Sequence, residues 1–90
     1  MTKQTVLDKL NELRAAVEQM PDDCDVSRAS IETSLIDPAP RIHVSLASGV
    51  RELAAAHRVG VDTQLTGQLV SVTVGGVEFS QFERPRWRPA

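Results

Sequence analysis

Hydrophobic and polar positions alternate most regularly between Leu69 and Phe82. Two runs rich in Val and Phe flank Gly75-Gly76. Paired glycines supply the positive φ values of a type I′ turn, so the pattern predicts a two-residue hairpin. That turn sets the register. Val74 lies opposite Val77, Val72 opposite Phe79 and Val70 opposite Gln81 on one face; Thr73 lies opposite Glu78, Ser71 opposite Ser80 and Leu69 opposite Phe82 on the other. Side chains alternate with period two, so the Val/Phe face is the buried one. The polar face nonetheless ends in an apolar pair, Leu69 and Phe82. Either a loop or the C-terminal segment covers that pair, or it forms a small partner-binding patch.

Upstream, Val6, Leu10, Leu13, Val17 and Met20 recur at spacings of four and three, and Leu7 and Ala16 widen the stripe. This period predicts a helix over residues 3–20, capped by Thr2 or Thr5, carrying an Arg14–Glu18 pair and ended by Pro21. The same spacing resembles a short coiled-coil seam; packing on the protein's own sheet is the plainer reading. Residues 29–36 and 41–46 alternate as two strands around Asp37-Pro38-Ala39-Pro40. A four-residue loop there would pair Ile36 with Arg41, Leu35 with Ile42, Thr33 with Val44 and Ile31 with Leu46. That register gathers the apolar side chains on one face and leaves Glu32, Ser34, Arg41, His43 and Ser45 on the other.

A second helix is expected from Gly49 to about Val59, capped by Ser48 and closed by Gly60 in the left-handed conformation. Its buried stripe is Val50, Leu53, Ala54 and His57. A short extended stretch, residues 61–66, leads through Gly67 into the glycine-turn hairpin. The expected fold is α+β in two layers, helix-hairpin-helix-hairpin (αββαββ), with an antiparallel sheet. Residues 1–83 form one domain, and residues 84–90 a basic Pro/Arg/Trp tail.

Composition narrows the function classes. Ninety residues make one domain with a thin core, so a homodimer is among the expected partners. The apolar and charged fractions, 41% and 24%, are those of an ordinary soluble globular chain. Two Phe, one Trp and no Tyr argue against a stacking platform for single-stranded nucleic acid. Residues 1–40 hold eight acidic and four basic side chains, and residues 41–90 four acidic and six basic. That asymmetry falls short of the basic excess of a duplex binder. The single cysteine, Cys24, excludes an internal disulfide and suits a reducing compartment. The opening MTKQTVLDKLNELR is charged throughout, unlike a signal peptide, and no run of 18 apolar residues is present, so no membrane partner and a cytoplasmic location are expected.

Candidate chemistry is sparse. Asp22-Asp23-Cys24-Asp25 gathers carboxylates and a thiol, but lacks the alternating ligands and glycine of a Ca²⁺ loop and the several Cys or His of a zinc site. It reads as a solvated acidic loop. His57 sits on an apolar helical stripe, where a histidine is ordinarily structural. His43, with Ser34, Ser45 and Glu32, assembles the residue types of a triad, yet a flat sheet face implies neither pocket nor oxyanion donors. No phosphate loop, paired-cysteine motif or HExxH appears, so no enzyme, cofactor or metal is expected.

The tail carries the clearest sign of a role beyond folding. Arg84, Arg86, Arg88 and Trp87 are residue types that dominate binding hot spots, and they also suit phosphate contact with stacking. Trp87 folded back over Leu69 and Phe82 is the plainer alternative. Residues 41–79, a strand, an Ala/Arg-rich helix and a hairpin ending Thr73-Val74-Gly75-Gly76-Val77-Glu78-Phe79, resemble small accessory proteins of actinobacterial phages. The resemblance implies a small non-enzymatic viral protein that binds a host or phage protein. The expectation is therefore a protein-interaction module meeting an unidentified protein through Leu69, Phe82, Arg84, Arg86, Trp87 and Arg88. The alternative is weak nucleic-acid binding through the tail arginines.

Overall fold

A computed structural model of the chain describes residues 1–36, 38–64 and 68–83. Its elements are α1 (Lys3–Glu18), β1 (Asp25–Glu32), β2 (Arg41–Ser48), α2 (Val50–His57), β3 (Asp62–Gln64), β4 (Leu69–Val74) and β5 (Val77–Phe82). The strands form one five-stranded sheet in the order β1-β2-β5-β4-β3. The fold is α+β, as the pattern predicts, but the sheet is mixed: β2 and β5 run parallel, with Val44 beside Phe79 and Ser45 beside Ser80. The antiparallel αββαββ expectation is corrected on two points, this ladder and the fifth strand, β3. Local alternation identifies each hairpin; which strand of one docks on which strand of the other is set by long-range packing. The strands with the largest apolar side chains, Ile42, Val44 and Leu46 in β2 and Val77 and Phe79 in β5, take the central positions.

The β4–β5 hairpin has the register its double-glycine turn dictates. Val74 pairs with Val77, Val72 with Phe79 and Leu69 with Phe82, while Gly75 and Gly76 hold φ of 56° and 81°. The β1–β2 hairpin departs from expectation. Arg41 pairs with Glu32 rather than Ile36, Ile42 with Ile31 and Val44 with Ala29, a displacement of four residues. Proline disfavours the α conformation in the residue before it, so Asp37-Pro38-Ala39-Pro40 is a poor tight reversal. Lengthening the loop to residues 33–40 costs only about 0.6 kcal/mol per doubling. In exchange, the register sets Glu32 across from Arg41 and Ile31 across from Ile42, cross-strand pairs that favour a ladder. Leu35 and Ile36 consequently leave the strand and stand exposed.

Both helices cover one face. The connection from β2 to the far-edge strand β3 has to cross above β5 and β4, and α2 packs there through Val50, Leu53 and Ala54 onto Val70, Val72, Val77 and Phe79. Helix α1 adds Leu13 and Ala16 to the same core, and Met20, just past its end, joins them. The expected stripe on α1 is only half used: Leu7, Leu10 and Val17 remain exposed. At 100° per residue Leu10 and Val17 lie on the flank next to Leu13, and Leu7 about 120° round from it, where no described element is packed. Thr2 caps the helix, its hydroxyl accepting from the Thr5 amide at 3.1 Å, and Arg14 donates to Glu18 at 3.0 Å.

The start of α2 is tied down from two other elements. Ser48 is not its cap. Gly49 occupies that position at φ 98°, and the Val50 amide donates to Gln81 Oε1 at 3.0 Å, a side chain from the end of β5. Arg51 pairs with Glu83 at 2.7 Å just beyond. Cys24 lies beneath, its thiol donating to the Gly49 carbonyl at 3.3 Å. At the other end the left-handed residue is Arg58, at φ 54°, rather than Gly60.

A Cβ at position 49 would stand 2.7 Å from Cys24 Cα and 2.8 Å from its Sγ, at a φ that side chains rarely adopt. Gly49→Ala is expected to cost about 2–4 kcal/mol in urea unfolding. Arg58→Gly is expected to stabilise by about 0.5–1 kcal/mol, read as a raised midpoint, because glycine takes the left-handed cap without the Cβ penalty. The Cys24 thiol pKa is raised, first by burial and then by Glu52 and Asp23. The folded state therefore holds its proton more tightly than the unfolded chain does. This contribution is intact below about pH 8.5 and is lost as pH rises through the folded value. Cys24→Ala should flatten the alkaline fall in stability measured by thermal melts between pH 8 and 10.

Candidate interaction face

The face of the sheet turned away from both helices carries Arg41, His43 and Ser45 from β2, Glu78, Ser80 and Phe82 from β5, and Leu69, Ser71 and Thr73 from β4. Alternation forces this set: Ile42, Val44, Val77 and Phe79 point into the core, so their neighbours point out. Parallel pairing brings the β2 and β5 residues side by side. His43 Nε2 and Ser80 Oγ share a hydrogen bond of 2.7 Å across that ladder. Ser80 is only 7% exposed, and His43 satisfies its hydroxyl. Sequence reasoning grouped His43 with Ser34, Ser45 and Glu32. The structure adds Ser80 as its hydrogen-bond partner; Glu32 and Ser34, the latter in the loop after β1, line one hollow with His43, and Ser45 lines the next.

Two shallow hollows meet at His43. One is lined by Glu32, Ile36, Arg41, His43 and Glu78; the other by His43, Ser45, Ser80, Leu69 and Phe82. They lie end to end along β2 and β5, forming one open surface with a polar middle and an apolar group at each end. Phe82 is 67% exposed and Leu69, its cross-strand partner, is half-buried. Ile36 is 96% exposed at the opposite end, and Leu35 beside it is fully exposed. Sequence alternation assigned Ile36 and Leu35 to a strand. The signal that they belong elsewhere is the proline pair at 38 and 40, which resists the short loop.

Of the residues expected to bind a partner, Leu69 and Phe82 are brought together as expected; Arg84, Arg86, Trp87 and Arg88 lie outside the described residues. The polar middle balances its charges, with Arg41 set against Glu32 and Glu78. At the edge, the extra residue of a β1 irregularity, Ser27, donates its hydroxyl to the Ser45 carbonyl at 3.1 Å.

The other candidate groups sit elsewhere. His57 is half-buried between α1 and the β4–β5 turn, beside Ala16, Val74 and Phe79. Asp22, Asp23 and Asp25 surround Cys24 without converging: among the described residues, no group of three or more His, Cys, Asp or Glu is placed to hold a metal ion. Among them, too, no helix is long and apolar enough to cross a membrane. No protein-family model matches the chain, and no curated protein and no solved structure matches it either.

Proposed function

We propose that the chain is a small protein-interaction module and that the helix-free face of its sheet receives the partner. The observation that carries this reading is Phe82, a large apolar side chain left mostly exposed beside Leu69 on the sheet face opposite both α1 and α2. Ile36 and Leu35 supply a second apolar anchor across a polar strip that offers hydroxyl and imidazole hydrogen bonds. Large exposed apolar side chains supply the anchors of a protein-binding surface, and the polar groups beside them supply its hydrogen bonds. The likeness of residues 41–79 to small phage accessory proteins agrees with a binder of a phage or host protein. Nucleic-acid binding rests on Arg84, Arg86 and Arg88 alone, and the balanced charge of the described face does not favour it.

Phe82→Ser and Ile36→Ser test the reading. Both side chains are exposed, so each variant should keep the parent stability within about 0.5 kcal/mol. In parallel captures from host lysate, a protein retained by the parent chain is expected to be retained at least tenfold less by either variant. Equal retention by parent and variants would remove this assignment.

A further inference from the structure

Strand β1 is eight residues long and lies at the edge of the sheet, so one whole side of its backbone is unpaired by any described strand. Edges of this length are ordinarily shortened, covered or blocked, because they template further pairing. The core-side residues of β1 are also thinly covered. Val26, Ala29 and Ile31 sit across from Leu46, Val44 and Ile42, yet Val26 and Ala29 are exposed and Ile31 is only half-buried. Helix α1 turns its Glu12, Ala15 and Gln19 side toward His57 and the β4–β5 turn. Its opposite flank, which holds Leu10 and Val17, is turned away from α2, toward the β2–β1 side of the sheet, and is exposed. An open edge, a bare strip of inner sheet and an unpartnered helix flank all border the same side of the molecule.

We infer that this side is a two-fold interface in which β1 pairs antiparallel with β1 of a second copy, about an axis through Ser30. The edge is self-complementary in that register. Arg28 of each copy faces Glu32 of the other, Ala29 faces Ile31, and Ser30 faces its own symmetry mate. Arg28 has no ion-pair partner among the described residues of its own chain. Shifting the axis by one residue to either side breaks both Arg28–Glu32 pairs, so charge selects the Ser30 register. An isologous contact doubles every such pair. The joined strands make one continuous sheet with its apolar strip running unbroken across the axis, and the exposed flanks of the two α1 helices approach each other above it. A chain of this size has little core of its own, and the second copy supplies the missing cover. The interface runs along the sheet edge, and of the residues it pairs, Arg28 to Glu32, only Glu32 also lines the hollows of the open face assigned to the partner, so the Arg28 and Ser30 variants test it separately from that assignment.

The test uses the charge pattern. The full chain is expected to sediment as a dimer that dissociates on dilution. Arg28→Glu sets Glu against Glu twice across the axis, and Glu32→Arg sets Arg against Arg twice; each should weaken dimerisation at least about tenfold. An equimolar mixture of the two variants restores both opposite-charge pairs and should recover parent-like association as a heterodimer. Because Glu32 also faces Arg41 within the chain, circular dichroism checks that Glu32→Arg remains folded. A second measurement does not depend on that variant. In a Cys24→Ser background, Ser30→Cys should cross-link to a covalent dimer on mild oxidation, while Arg28→Cys, displaced from the axis, should not. A parent chain that remains monomeric up to millimolar concentration overturns the inference. So does a dimer indifferent to Arg28→Glu, or equal cross-linking at both positions.

Discussion

The ladder between β2 and β5 is the contact on which the rest of this structure depends. Every other strand pair is joined by a connection of modest length; this one alone unites segments separated by α2, β3 and β4. An isolated hairpin is at best marginally stable in water. The two hairpins become a domain only when Ile42 and Val44 lie beside Val77 and Phe79, forming an inner face wide enough for two helices. Fully burying side chains of this kind stabilises by about 1.5–3 kcal/mol each. Eight of the largest buried side chains, Phe79, Ile42 and Leu53 among them, gather around this contact.

Parallel docking has consequences that an antiparallel arrangement of the same hairpins would not share. It sends the chain from β2 to the opposite edge, so α2 lies across β5 and β4. It carries the end of β5 to the start of α2, where Gln81 caps Val50 and Glu83 pairs with Arg51. A helix without a side-chain cap of its own thus borrows one from the strand it covers, and Gly49 can approach Cys24 closely because nothing but hydrogen stands at its Cα. The same ladder places His43 against Ser80, so the outer face has a satisfied polar centre instead of a buried orphan hydroxyl.

Coverage of the sheet is uneven as a result. With α2 above β4 and β5 and α1 beside it, the inner face of β1 receives little, and the outer face receives neither helix. The domain therefore presents two surfaces of different character. One is an edge whose apolar strip and charge pattern match themselves under a two-fold. The other is a polar sheet face with apolar residues at its ends.

Periodicity and turn chemistry were enough to place both helices, β2, β4, β5 and the complete register of the β4–β5 hairpin, because each depends on residues near in sequence; the first strand, expected over residues 29–36, instead spans Asp25–Glu32. Gly75-Gly76 favours a two-residue turn, and that length decides that Leu69 meets Phe82 on the outer face. The remaining decisions were not local. Helical spacing identifies the apolar residues of α1 but not which flank finds a neighbour, so Leu10 and Val17 read the same as Leu13 and Met20 until the sheet is in place. Alternation across Pro38 and Pro40 is compatible with two registers of equal parity, and only the loop's resistance to a tight bend exposes Leu35 and Ile36. Least legible of all was the pairing of β2 with β5. It is held by side-chain packing between distant segments, and no turn, cap or spacing in the chain encodes the direction in which two ready-made hairpins lie down together.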